Sequence, residues 1–150
     1  GDMKHHLTAR PCQGEDYEFV YDLKKQCYHD YVAAIWGWEE EKQRVLFAAY
    51  WEKAAPGLFI LLLDGVPVGF LDGQVQGERY ELGNLCLLPE QRGKGLGSKV
   101  LKGLLDKAPG GRVGLQVFKS NPARRLYERL GFRVTGETDH HYQMEGRKTL

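Results

Sequence analysis

The segment PEQRGKGLGSKVL, Pro89 to Leu101, sets three alternating glycines, Gly93, Gly95 and Gly97, among the cations Arg92, Lys94 and Lys99. Glycine lets a backbone approach a ligand closely and turn its N–H groups towards one point. Val100, Leu101, Leu104, Leu105 and Ala108 then recur at helical spacing, so the loop opens a helix. A helix N-terminus adds partial positive charge, and the combination favours a phosphate or pyrophosphate. A P-loop needs Gly-x-x-x-x-Gly-Lys-Ser/Thr, and no such string occurs. A dinucleotide fingerprint needs Gly-x-Gly-x-x-Gly early in the chain, but Ser98 stands at the last glycine and the loop comes late. The pattern that is met is Arg-x-x-Gly-x-Gly, by Arg92, Gly95 and Gly97.

A second stretch, NPARRLYERLGF (Asn121–Phe132), reads as an amphipathic helix with Asn121 as cap and Gly131 as left-handed terminator. Leu126 and Leu130 are core candidates. Tyr127 adds a phenol that is mostly protonated at pH 7. Glu81 and His141 are further groups able to accept a proton, and Asn84 could hold a water that relays one, although Glu81 and Asn84 fall on opposite faces of a regular strand. Cys86 has no histidine motif beside it and reads as a small buried residue, not a nucleophile. The pairs His5-His6 and His140-His141 point to opposite faces of strands, so no metal site is expected.

The elements that must position these groups follow from periodicity and turn residues. A first strand is expected from Met3 to about Arg10. A helix beginning at Gly14-Glu15-Asp16 carries a stripe of Val20, Leu23, Cys27, Tyr31 and Ala34. Trp36-Gly37-Trp38 interrupts it. Glu39-Glu40-Glu41 opens a second helix through Val45, Leu46, Ala49 and Tyr50, ended by Pro56-Gly57. Strands follow at Leu58–Leu63, at Val66–Gln74 after the Asp64-Gly65 turn, and at Tyr80–Leu88. After the loop helix come a strand at Val113–Phe118, the Asn121 helix, and two strands at Phe132–Glu137 and His140–Glu145. This order fits an α+β or mixed α/β sheet.

The chain has 150 residues, 42% apolar and 27% charged, and its 21 cations nearly balance 20 anions. Length favours one domain, residues 3–150, with Gly1-Asp2 ahead of Met3 read as cloning residues. The balanced charge gives no global field for nucleic acid. No apolar run is long enough to span a bilayer. Three scattered cysteines, Cys12, Cys27 and Cys86, suggest a reducing, cytoplasmic setting.

LCLLPEQRGKGLGSKVL with its preceding strand, and NPARRLYERLGF after it, resemble the two signatures of the GNAT superfamily of acyl-CoA-dependent N-acyltransferases. The resemblance implies a mostly antiparallel sheet of six or seven strands flanked by about four helices. It also implies a splay between the strand before the loop and the next one. Main-chain groups of Cys86, Leu87 and Leu88 are expected to pair with the pantetheine of acetyl-CoA. Arg92, Gly93, Lys94, Gly95, Leu96, Gly97 and Ser98 are expected to cradle its pyrophosphate, with Asn121, Arg124 and Tyr127 flanking the arm and thiol. Tyr127 becomes the candidate acid for the departing thiolate. Glu81, Asn84 (through a water) and His141 are alternative routes for the amine's proton.

The first two helices and their connection usually wall the acceptor in such proteins. Here Tyr31, Trp36 and Trp38 are the candidate contacts for an amine-bearing small molecule or peptide. Glu39 to Glu41 either attract that amine or only complement the helix dipole, the simpler reading. A homodimer is compatible with the resemblance. The alternative function is a non-catalytic acyl-CoA-binding or sensing module. A weaker one is nucleotide or RNA binding through Arg92, Lys94, Lys99, Arg124 and Arg125.

Overall fold

The computed structural model describes residues 5–149. Its elements are β1 (Leu7–Pro11), α1 (Tyr17–Trp36), α2 (Glu40–Ala54), β2 (Leu58–Leu63), β3 (Val66–Gln76), β4 (Arg79–Leu87), α3 (Leu96–Lys107), β5 (Arg112–Phe118), α4 (Ala123–Arg129), β6 (Arg133–Glu137) and β7 (His141–Arg147). The seven strands form one mostly antiparallel sheet in the order β1-β2-β3-β4-β5-β7-β6. β4 pairs in parallel with β5, at Tyr80↔Val113 and Glu81↔Gly114 in the first half of β4. The fold is the expected mixed α/β type. Two compact units divide the chain: one runs to Asp72 and includes Asn84–Gln91, the other combines Gly73–Gly83 with the chain from Arg92 onwards.

In the first unit, β2 is the all-apolar LFILLL and packs without alternation because both its faces are covered. Asp64 and Gly65 both take positive φ, 51° and 81°, as a two-residue hairpin turn requires. His6 N–H donates to Asp64 Oδ1 at 2.8 Å and helps hold that conformation. Val20, Leu23, Leu58, Ile60, Phe70 and Cys86 are almost fully buried. The stripe expected on α1 is buried only in its first half, through Val20, Tyr21 and Leu23. Tyr31 is half-buried and Ala34 exposed, so the helix outruns the core. On α2 the buried residue is Phe47, while Val45 is 70% and Leu46 53% exposed. Two apolar stripes compete on this helix. The face with Phe47, Tyr50, Trp51 and Ala54 packs on the core because its rings offer more area and edge-to-face contacts. Phe47 lies 4.9 Å from Tyr17 and 5.1 Å from Tyr21.

The second unit buries Val100, Leu101 and Leu105 of α3 with Val113, Leu115, Val117, Phe132 and Met144. Leu126 and Leu130, expected in the core, are only half-buried: α4 is a seven-residue helix without a buried residue, and Phe132 just beyond it is the buried side chain at this end. A Cβ on Gly146 would come within 2.6–2.7 Å of the Phe132 ring, so this strand position must be bare. Glu145 accepts two hydrogen bonds from Arg112, at 2.7 and 2.9 Å, and lies 3.6 Å from Arg79. Among the described residues, no helix is long and apolar enough to cross a membrane.

Candidate functional site

Gly93 and Gly95 adopt φ of +74° and +82°, the left-handed region. An added Cβ would meet nothing within 4 Å at either. Glycine is needed here for backbone conformation, and the space above the loop is open. Gly95 leads straight into α3, where Lys99 N–H donates to Gly95 O at 3.1 Å and closes the first turn. The N–H groups of Leu96, Gly97 and Ser98 have no carbonyl four residues back within the helix, which makes this end a set of aligned donors. The Leu96 side chain is buried and anchors α3, so only its main chain is available to a ligand. Arg92 and Lys94 are exposed.

Upstream, both main-chain groups of Leu88 are engaged: its N–H donates to Val68 O and its C=O accepts from Gln91 N–H, each at 2.9 Å. It therefore offers a ligand its side chain and a second carbonyl lone pair, not a donor. Cys86 is 1% exposed, and a Cβ on Gly69 would strike its carbonyl oxygen. Burial and the neighbouring Cys27 thiol push the Cys86 thiol well above its ordinary value, which removes it as a thiolate nucleophile.

Asn121 Oδ1 accepts from Ala123 N–H at 2.9 Å, holding the entry of α4. At the far end, Gly131 takes φ +91° and Phe132 N–H donates to Tyr127 O at 3.0 Å. The same turn sets the Phe132 ring 5.9 Å from the Tyr127 ring. Gly131-Phe132 is thus the device that fixes Tyr127. Arg124 bonds Glu128 at 2.9 Å and lies 4.8 Å above the Tyr142 ring. His141 stacks on Phe118 at 4.2 Å, and burial, with His140 adding to it, lowers its pKa. The imidazole is therefore mostly neutral at pH 7.

Glu81 and Asn84 fall into separate groups. Glu81 is ion-paired with Arg79, beside Glu145 and Arg112, and its Oε1 lies where a Cβ on Gly114 would come within 2.6 Å. Asn84 belongs to a buried polar ring. Its Nδ2 donates to Asp72 Oδ2 at 2.8 Å and to Tyr50 Oη at 3.3 Å, while Tyr50 Oη donates to Asp72 Oδ2 through a short bond. Asp72 is 7% exposed. Burial raises its pKa, against the lowering effects of Tyr50, Asn84 and Lys24. Because the Asp72 carboxylate only accepts, the orientation of the Asn84 amide is dictated: both hydrogens go into the ring. Lys24 Nζ lies 4.6 Å above the Tyr50 ring.

Beside α1 and α2 is a pocket of about 150 Å³ lined by Tyr21, Lys24, Lys25, Tyr28, Trp38 and Phe47, among others. Of the three expected acceptor contacts, Trp38 lines it, while Trp36 is 59% exposed and neither Trp36 nor Tyr31 is among its walls. Glu40 accepts from Tyr21 Oη at 2.6 Å, and from Lys25 and Trp38 at 2.8 Å. Lys25 first, then Trp38 and Tyr21, hold its carboxyl down to about 2. Glu40 is thus a clasp between α1 and α2 as well as a first-turn anion. Among the described residues, no group of three or more His, Cys, Asp or Glu is placed to hold a metal ion.

Lys24 and Asp72 escaped the sequence reading, and Tyr50 entered it only as a position on the second helix. One signal was present: Lys24 lies inside the α1 stripe, four residues from Val20 and three from Cys27, where a cation is out of place.

The chain matches the Acetyltransferase (GNAT) family over residues 17–132. A curated relative, the N-alpha-acetyltransferase RimI of Mycobacterium tuberculosis (strain ATCC 25618 / H37Rv), is 37% identical over 68 residues. That match covers 45% of this chain and 43% of the relative, so the chain spans less than half the length of the curated protein it matches. Among solved structures, the PaiA N-acetyltransferase of Thermoplasma acidophilum in complex with coenzyme A superposes with a TM-score of 0.73 at 20% identity, covering 95% of this chain and 99% of that one. The ribosomal-protein-S18-alanine N-acetyltransferase of Escherichia coli gives 0.66 at 23% identity, covering 97% and 96%.

Proposed function

Because the chain belongs to the acetyltransferase (GNAT) family, we propose that it acts as one cytoplasmic N-acetyltransferase domain, moving an acetyl group from acetyl-CoA to a primary amine of a small molecule or peptide. The observation that carries this reading is the Gly93–Ser98 loop, where two left-handed glycines lead into the first-turn amides of α3. The coenzyme A complex of the PaiA neighbour and the protein-amine acetylation in the names of the RimI and S18-alanine relatives support it. Free Cys12, Cys27 and Cys86 suit a reducing compartment.

In this reading Arg92 to Ser98 hold the pyrophosphate, while Cys86 and Leu87 guide the pantetheine by main-chain groups. Asn121 holds the start of α4, and Arg124 and Tyr127 present their side chains from it. The acceptor ammonium, with an ordinary pKa near 10.4, must lose a proton before its nitrogen attacks the thioester carbon. The Asn84 amide oxygen accepts an N–H from that amine, and a water carries the proton away. His141, already neutral, is the second route. Glu81, held by Arg79, is the least available of the three. The C–N bond forms, the C–S bond breaks, Tyr127 donates its hydroxyl hydrogen to the leaving thiolate, and the second proton the nitrogen sheds on becoming an amide restores the phenol through water.

A coenzyme A release assay over amines, amino acids and peptides, alongside calorimetry with acetyl-CoA, tests the proposal. Sub-millimolar acetyl-CoA binding with turnover of at least one amine is expected. Binding without turnover on any amine favours a non-catalytic acyl-CoA module; no binding overturns both.

A further inference from the structure

The pocket beside α1 and α2 has a charge imbalance. Glu40 is its acidic neighbour, but its two oxygens are shared among Tyr21, Lys25 and Trp38. Lys25 is thereby paired at 2.8 Å. Arg44, over the Tyr21 ring at 3.6 Å, is paired with Glu18 at 2.9 Å. Lys24 differs. Its ammonium lies 5.7 Å from the Tyr28 ring and 4.6 Å from the Tyr50 ring, with no carboxylate within ion-pair distance among the described residues. Asp72 acts on it through space, yet the Asp72 oxygen nearest the ring is bonded by Tyr50 and Asn84. Burial lowers the Lys24 pKa and outweighs the raising effects of Cys86 and Asp72.

An ammonium has three hydrogens to donate, and ring faces satisfy them poorly. A carboxylate supplies two oxygens that do. The remaining walls are aromatic and apolar, Tyr21, Tyr28, Val32, Trp38, Leu46 and Phe47, apart from the amide of Gln43 and the paired Lys25. At about 150 Å³ the space matches one six-membered ring, since an apolar cavity of about that size admits benzene. We propose that this pocket binds an aryl or apolar group bearing a carboxylate, with Lys24 as the charge partner and Trp38 and Tyr28 as walls. Its role as an acceptor subsite rests on the acetyltransferase reading, and it makes the preferred acceptor an amine that also carries a carboxylate. As an anion site the pocket stands independently.

Phenylacetate and its neutral isostere phenylacetamide are the probes, titrated calorimetrically into the full chain with and without acetyl-CoA. Phenylacetate should bind about tenfold or more tightly than phenylacetamide, the scale of one charge-assisted hydrogen bond. Lys24→Met should remove that preference, whereas Lys25→Met should change it less than about threefold because Lys25 is already paired. Equal affinity for the two probes, or an unchanged preference in Lys24→Met, overturns the proposal. The Trp38 indole N–H resonance of the unsubstituted protein reads occupancy without any variant: a shift with phenylacetate is expected, and no shift overturns it. Phenylacetate binding without acetyl-CoA binding would defeat the acetyltransferase reading alone. Acetyl-CoA binding with equal affinity for both probes would defeat the carboxylate site alone.

Discussion

At the Arg92–Ser98 loop the groups offered to a ligand are main-chain amides, whereas around Asp72 they are side chains from α1, α2, β3 and β4. The loop needs glycine only for its torsion angles, and added Cβ atoms meet open space. The ring needs particular atoms: Tyr50 and Asp72 lie 22 residues apart, Asp72 and Asn84 another 12. A backbone site is written locally in sequence. A side-chain site is assembled by the fold, and its parts are individually ordinary residues.

The comparison predicts that the two regions fail differently. The largest effect should come from Asp72→Ala, which takes the acceptor from the Tyr50 hydroxyl hydrogen and from one Asn84 hydrogen, and a neighbouring counter-charge from Lys24. A loss of about 3 kcal/mol is expected, lowering Tm by roughly 6–12 °C in a chain of this size, while acetyl-CoA affinity holds. Thermal melts beside calorimetry read both; weaker acetyl-CoA binding at a temperature where the variant is folded would erase the distinction. Tyr127→Phe should lower kcat by about 100-fold with KM for acetyl-CoA unchanged, and an unaltered kcat removes the phenol as acid. Gly95→Val should do the opposite of Asp72→Ala. A β-branched residue at φ +82° strains the loop, so acetyl-CoA should bind about 10- to 100-fold more weakly while Tm moves little. The smallest effect has the reverse sign. Lys24→Met removes a buried cation and should raise Tm by about 2–4 °C, the shift that about 1 kcal/mol produces. The folded pKa of Lys24 lies below its usual 10.5, so the native protein should gain stability as pH rises from that lowered value towards 10.5. Urea melts across this range should show stability rising more, or falling less, in the unsubstituted chain than in Lys24→Met, where the raised pKa values of Tyr21 and Tyr50 leave only a decline as pH passes the ordinary tyrosine range.

Much of the fold was legible because its boundaries carry unambiguous residues. The Asp64-Gly65 turn, Gly37 after α1 and Gly131 after α4 all occupy positive-φ positions, and β2 has the bounds its apolar run suggests. The α2 face was only partly legible: of the expected Val45, Leu46, Ala49 and Tyr50, packing keeps Tyr50 and adds Phe47, a choice between faces that only the fold decides. For the candidate site, the loop and the Tyr127 turn were readable from spacing. Asn84 was named, but its partners were not, because hydrogen bonds across strands and helices leave no period in the sequence. Trp38 was picked out with Trp36, and only the first lines the pocket; Gly37 between them, at φ +79°, sends the chain in a new direction.

The ring at Asp72 also limits which residues can vary together. A carboxylate at position 84 would face the Asp72 carboxylate across the present 2.8 Å contact, and two anions that close cannot both stay ionised. Position 84 is therefore closed to an acidic residue while position 72 holds one. Exchanging them, Asp72→Asn with Asn84→Asp, keeps one acceptor, one amide and one charge. Each single change should be worse than the pair, and among relatives that retain the tyrosine of α2 the two positions should trade identities together.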